Sequence, residues 1–167
     1  RKNEAMVTLV PPVGVTSAEV DPVLKAFIPN SRQRKRVDVL YQTAALNESK
    51  NDGFIQELEN TISKSRRKEK NPELLGVLSV GTFVEGDGGS RPELNKLVET
   101  VTSSYDCSII VTRSSERFLK LTEIADVRFK IIELEGNLFV QPENPWASLY
   151  AIENEKDGEI ISVRPMV

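Results

Sequence analysis

The 167-residue chain has no histidine, one cysteine, one tryptophan and two methionines. The missing histidine takes away the commonest general base and the commonest zinc ligand together. Serine-protease-type triads, Cys-His nucleophiles and zinc hydrolysis sites are thereby excluded in their usual forms. Any catalysis would fall to carboxylates, Lys, Tyr or a metal held by oxygen ligands, and no carboxylate cluster has the spacing of a calcium loop. A lone Cys107 excludes an internal disulfide framework. No apolar run approaches the roughly 20 residues that span a bilayer, and the N-terminal stretch carries no signal-peptide pattern. The expectation is a soluble, cytoplasmic protein with no membrane partner.

At 39% apolar and 28% charged residues, the composition suits one globular domain over residues 1–167. The net charge of −3 and pI near 5.2 offer nucleic acid no general attraction, so such binding would need a local patch. Two basic runs qualify: Arg32, Arg34, Lys35 and Arg36 in RQRKR, and Lys64 to Lys70 in KSRRKEK. Neither is interleaved with aromatics that could stack on bases, so solvated loop or helix-end charge is the ordinary reading of both.

The chain is organised around Met6 to Ile28: an apolar strand, a Pro- and Gly-rich loop, and an amphipathic helix. This turn has the outline of a phosphate-binding P-loop, G-x-x-x-x-G-K-[ST], without its chemistry. Gly14 and Thr16 stand where the second glycine and the hydroxyl belong, but Leu9 replaces the first glycine and Val15 the lysine. Two helix starts compete. Asp21-Pro22 is a strong boundary, with Asp as cap and Pro in the first turn. A capping box from Thr16 to Glu19 would instead enclose Pro22 in the helix, at a cost of about 3 kcal/mol. Either start puts a carboxylate where an anion would bind.

Further on, Arg36 to Thr43 alternates as a strand, and Phe54, Leu58 and Ile62, with Ile55 beside them, form a helical stripe. Leu74 to Val80 is a continuous apolar run, as expected of a central strand covered on both faces. Glu85 to Ser90 is a Gly-rich loop, and Ser90-x-x-Glu93 with Pro92 opens a helix whose buried face holds Leu94, Leu97, Val98 and Val101. Ser108 to Thr112 supplies a fourth strand, followed by a short helical piece with Phe118, Leu119 and Leu121. From Ala125 the pattern changes to antiparallel strands, with hairpins closed at Gly136-Asn137 and Asp157-Gly158. Pro142 and Pro145 mark the link between the hairpins and suit a central strand poorly. Trp146, alone in that Pro-flanked stretch, is either an interface anchor or a residue packed on the last hairpin, the latter being the ordinary reading.

Five segments carry a resemblance: PPVGVTS (Pro11 to Ser17), VDVLYQTA (Val37 to Ala44), GVLSVGT (Gly76 to Thr82), SIIVTRSSE (Ser108 to Glu116) and IADVRFKIIEL (Ile124 to Leu134). Their order resembles the RecA-like ATPase superfamily, in particular its KaiC-like branch with archaeal proteins similar to the gas-vesicle regulator GvpD. The resemblance implies an α/β fold, a three-layer RecA-like sandwich with a mainly parallel sheet flanked by helices and C-terminal antiparallel hairpins. It also implies ATP and Mg²⁺, and here the sequence departs from the family. The metal-holding Asp at the end of the third strand is replaced by Ser79 or Gly81, and Gln42 and Thr43 stand where a catalytic carboxylate belongs. Phosphoryl transfer depends on such groups to stabilise charge, so no catalytic residue, metal site or cofactor is assigned, and ATP with Mg²⁺ is disfavoured. RecA-fold subunits of the Elongator accessory ring likewise lack ATPase motifs, so the resemblance implies an assembly role through self-association or a RecA-like paralogue. In open α/β sheets, ligands bind beyond the carboxyl ends of the strands. That rule makes Gly14, Thr16, Glu85, Arg113 and Glu116 the candidate ligand contacts of a divergent nucleotide sensor, the competing reading.

Overall fold

A computed structural model describes residues 5–42, 48–68, 72–80, 91–112, 123–154 and 161–166. The chain divides into two compact units, Arg1–Ser114 and Ser115–Val167, where the sequence suggested one domain. The division follows the change of pattern noted above, because strands joined by helices and strands joined by tight turns bury their apolar groups in different layers.

The first unit is a parallel four-stranded sheet in the order β2-β1-β3-β4, with β1 Met6–Val10, β2 Val37–Val39, β3 Leu74–Ser79 and β4 Cys107–Val111. Its helices are α1 Ser17–Phe27, the short α2 Ser31–Arg34, α3 Glu48–Lys68 and α4 Arg91–Ser104. The chain leaves β1 in one direction to reach β2 and returns in the other to reach β3 and β4. Right-handed crossovers therefore place α1 on one face and α3 with α4 on the other. Both β1 and β3 lie inside the sheet, so the apolar run Leu74 to Val80 is central as expected.

The face under α3 and α4 is the core. Met6, Thr8 and Val10 of β1 and Leu74, Gly76 and Leu78 of β3 alternate inward and are buried, as the two-residue period of a strand requires. Ile55, Leu58 and Ile62 of α3 and Leu97 and Val101 of α4 close over them. Phe54 is only half-buried, so the stripe of α3 runs through Ile55 rather than Phe54. Gly76 makes room for Tyr105: a Cβ there would lie 3.3 Å from the ring. The opposite face of β3 is half-buried, and Ile109 and Val111 on the outer strand are exposed. The two-sided cover suggested by the continuous apolar run is thus complete on one face only.

The second unit is an antiparallel four-stranded sheet, β5 Arg128–Leu134, β6 Asn137–Asn144, β7 Tyr150–Asn154 and β8 Ile161–Pro165, in sequential order. The first hairpin turns at Glu135-Gly136, one residue earlier than the sequence suggested, with φ of 51° and 79°. Positive φ at both central residues marks a type I′ turn, whose twist matches that of paired strands. Pro142 lies within the inner strand β6, contrary to expectation. It is tolerated because β6 pairs with β7 only from Leu138 to Val140, and the β5 register shifts between Arg128 and Phe129, opposite Pro142. The second hairpin forms by the pairing of β7 with β8, while its Asp157-Gly158 turn lies outside the described residues.

Candidate functional site

The turn after β1 is the place to look for a ligand. Val15 N–H donates to the Pro12 carbonyl at 3.2 Å, closing a tight turn in which Gly14 has φ of 84°. That is the conformation a type II turn asks of its third residue. No atom lies within 4 Å of where a Gly14 Cβ would sit, so the glycine serves the bend and no close approach of other groups to it.

Helix α1 then starts at Ser17 with Thr16 as its cap, so the Thr16–Glu19 alternative is the one adopted and Pro22 lies inside the helix. The bonds at this end explain the choice. Thr16 N–H donates to Glu19 Oε2 at 2.8 Å, and the Thr16 hydroxyl donates to the same oxygen at 2.9 Å. The Thr16 carbonyl accepts from Glu19 N–H and Val20 N–H, each at 3.1 Å. The terminus is thus closed on itself before Pro22 removes a donor further along. Those two Thr16 hydrogen bonds, the backbone one foremost, hold the Glu19 carboxyl below the usual carboxylate range.

This arrangement decides what the turn can do chemically. A helix N-terminus favours an anion because its N–H groups are unpaired and its dipole is positive there. Here the anion is the protein's own Glu19, and the hydroxyl that a metal would need is donating to it. No cation stands beside the turn in sequence, since Val15 occupies the lysine position.

Of the five candidate ligand residues, Gly14 and Thr16 are adjacent in this turn, whereas Glu85, Arg113 and Glu116 lie outside the described residues. At the same rim, Gln42 Nε2 donates to the Ser79 carbonyl at 2.6 Å, tying the end of β2 to the end of β3. Tyr41 lies next to it, its phenol pushed up by partial burial and then by the Asp21 carboxylate. Among the described residues, no group of three or more His, Cys, Asp or Glu side chains is arranged to hold a metal ion.

Both basic runs contribute charge to structural bonds. Arg34 donates to the carbonyls of Ile28 at 2.6 Å and Pro29 at 2.7 Å, closing the carboxyl end of α1. Arg66 donates to the Ser104 carbonyl at 3.0 Å at the end of α4, and Lys68 pairs with Asp38 at 3.3 Å. Cations at helix C-termini are stabilised by the dipole, and these two runs supply them. A 300 Å³ hollow beside Arg66 is lined by Ser103, Ser104 and Asp106 among others, and the Asp106 carboxylate accepts from Leu74 N–H at 2.8 Å.

The second unit carries the most exposed apolar surface. Residue pairing puts Phe129, Ile131, Leu138, Val140, Ile152 and Val163 on one face of its sheet. Phe129, Ile131 and Val163 are 54%, 59% and 52% exposed. The other face bears Lys130, Gln141, Glu153 and Arg164, the last two joined by a 3.1 Å ion pair, together with Ile132, Leu134, Phe139 and Ala151. Trp146, beyond the end of β6 and bridged to Glu143, is 79% exposed rather than packed on the last hairpin. Alternation along these strands was visible in the sequence. Which residues of different strands share a face was not, since that depends on the register of pairing.

No protein-family model matches the sequence, and no curated protein matches it. Among solved structures, the chain is similar to the uncharacterized protein PH0321 from Pyrococcus horikoshii in complex with an unknown peptide. The two are 12% identical with a TM-score of 0.59, over 99% of this chain and 82% of that one, a likeness of fold. No helix among the described residues is long and apolar enough to cross a membrane.

Proposed function

We propose that this chain is a cytoplasmic, non-catalytic RecA-like domain of the KaiC- and GvpD-like kind, acting through protein contacts in assembly or regulation. The observation that carries the proposal is the Glu19 carboxylate seated on the N–H and hydroxyl of Thr16. It takes up the Thr16 donors with a side chain and repels a further anion at this helix start. The RecA-like assignment itself rests on the sequence motifs. Trp146 and the exposed Phe129, Ile131 and Val163 supply the kind of side chains on which protein contacts concentrate. A partner peptide is a second candidate, favoured by the unknown peptide found with the Pyrococcus horikoshii protein.

Calorimetric titration with Mg²⁺-ATP and Mg²⁺-GTP tests the reading. The expected result is no heat of binding up to about 1 mM nucleotide, the weak end of specific recognition. A saturable isotherm that disappears in Thr16→Val would overturn it and establish the nucleotide-sensor alternative.

A further inference from the structure

We infer that the end of the first sheet at which its strands begin is a docking surface for the phosphate backbone of a nucleic-acid duplex. This end lies opposite the Gly14–Thr16 turn, and its role does not depend on the function proposed above.

The fold brings together two basic runs that lie far apart in the sequence. Arg32, Arg34, Lys35 and Arg36 occupy α2 and the approach to β2, and the Arg36 carbonyl accepts from Val7 N–H at 2.8 Å beside the start of β1. Lys64, Arg66, Arg67 and Lys68 occupy the last turns of α3, which returns to the same end before β3 begins. Two bonds fix that placement. Lys68 pairs at 3.3 Å with Asp38, two residues beyond Arg36, and Arg66 donates at 3.0 Å to the Ser104 carbonyl just ahead of β4. Because β2 is an outer strand, both runs stand at an outer corner of the unit.

Only part of this charge is used within the fold. Arg34, Arg66 and Lys68 serve the helix ends and Asp38. Arg32, Lys35, Lys64 and Arg67 are exposed, and their charged groups make no hydrogen bond or ion pair among the described residues. Neither segment 31–36 nor segment 63–68 contains an acid. Of the nearby carboxylates, Asp38 is engaged by Lys68 and Ser65, and Asp106 by Leu74 N–H. On a chain of net charge −3, this is a local concentration of one sign, and such a field gathers a polyanion.

The chemistry selects which polyanion. A single phosphate needs cations that converge on one point, whereas these four stand on two separate segments. Lys is depleted at protein interfaces, while Lys and Arg are the usual partners of backbone phosphates. Neither run contains an aromatic residue, so unpaired bases would find nothing to stack on. A duplex keeps its bases stacked and presents one charge per about 1.7 Å of its axis, so two groups of cations can engage it at once.

Fluorescence anisotropy of the full chain with labelled DNA and RNA duplexes, long enough at about 20 base pairs to span both runs, provides the test. With four phosphate contacts, affinity should be independent of sequence, lie at about 1–100 µM near physiological salt, and fall roughly hundredfold between about 50 and 200 mM salt. The tighter of the two duplexes identifies the source. Arg32→Glu with Lys35→Glu, and Lys64→Glu with Arg67→Glu, should each weaken binding by at least about tenfold, while Lys130→Glu in the second unit should not. The wild-type measurement decides even if a variant fails to fold. No binding to either duplex at about 50 mM salt and 100 µM protein would overturn the inference, as would binding indifferent to both double substitutions. Polyglutamate of matched charge that binds as tightly as the duplexes would assign the surface to an acidic protein segment and overturn the choice of nucleic acid. A nucleotide isotherm that depends on Thr16 overturns the function proposed above and leaves the duplex surface standing.

Discussion

The two units handle apolar surface in opposite ways. In the first, helices α3 and α4 lie over alternate residues of β1 and β3, and Ile55, Leu58, Leu78 and Val101 are almost entirely buried. In the second, hairpins join neighbouring strands, and Phe129, Ile131 and Val163 are half or more exposed while Val140 and Ile152 are half-buried. The difference lies in connection type. Parallel strands need crossovers long enough to hold a helix, and the helix arrives as cover. Hairpins need two residues and bring none. A hydrophobic strand is therefore no guarantee of a core: what surrounds it decides whether it stabilises the chain or waits for a partner.

The widest test of that contrast is a pair of truncations. Leu58→Ala should cost about 2–5 kcal/mol in denaturant unfolding, the range for a cavity in a close-packed interior. Ile131→Ala, measured at dilute protein, should cost under about 1 kcal/mol, as for an exposed site. Losses of equal size would erase the distinction between the units.

A smaller effect sharpens the account of the covered face. The Tyr105 hydroxyl is buried against the sheet with no hydrogen-bond partner among the described residues. Burial pushes its phenol up and the Asp38 carboxylate adds to this, while the nearby Thr8 side chain, outside hydrogen-bond geometry to the neutral hydroxyl, partly opposes it by favouring the ionised form. A folded-state value above the unfolded one means the fold binds this proton more tightly. The stabilisation is then complete below the ordinary phenol value of about 10 and declines as pH rises beyond it. Tyr105→Phe should remove Tyr105's share of the alkaline loss. At neutral pH it should leave stability unchanged or raise it by up to about 1 kcal/mol, since an unpaired buried hydroxyl is itself costly. Thermal melts from pH 8 to pH 11 would check both, and an identical alkaline decline in the variant would contradict the assignment.

The smallest expected change lies in the second unit. Glu135 holds φ of 51° at the first position of the type I′ turn, a conformation that costs most non-glycine residues about 1 kcal/mol and suits asparagine. Glu135→Asn should stabilise the sheet by about 0.5–1 kcal/mol, read from denaturant midpoints. A loss of stability would show that the Glu135 side chain does more than tolerate the turn.

Several features were legible before any coordinates. The alternation of apolar runs with helical stripes marked the first sheet, because strand and helix periods are local properties of the backbone. The change after Ala125 marked the second. Val15 in the lysine position and an acid at the start of α1 were likewise plain from the residues, and the Thr16–Glu19 bonds show how that acid is held. What was not legible depended on competition between local signals. Asp21-Pro22 is the stronger helix start by composition, yet two hydrogen bonds from Thr16 to Glu19 outweigh it. The basic runs were legible as helix-end charge, but a sequence does not record which carbonyls and carboxylate Arg34, Arg66 and Lys68 reach.

The residues alone settled the order of the strands and of the longer helices α1, α3 and α4, the absence of histidine chemistry and the departure from the P-loop signature, while the expected helical piece at Phe118 to Leu121 lies outside the described residues. These follow from side-chain identity and short-range periodicity. Only the tertiary arrangement decided that β1 and β3 lie inside the first sheet, which residues share a face of the second, and that Trp146 is exposed. Each of these is a statement about which segments lie next to which. A local pattern specifies that a face is apolar, but the free energy of covering it is realised only by whatever surface the rest of the chain, or another chain, brings against it.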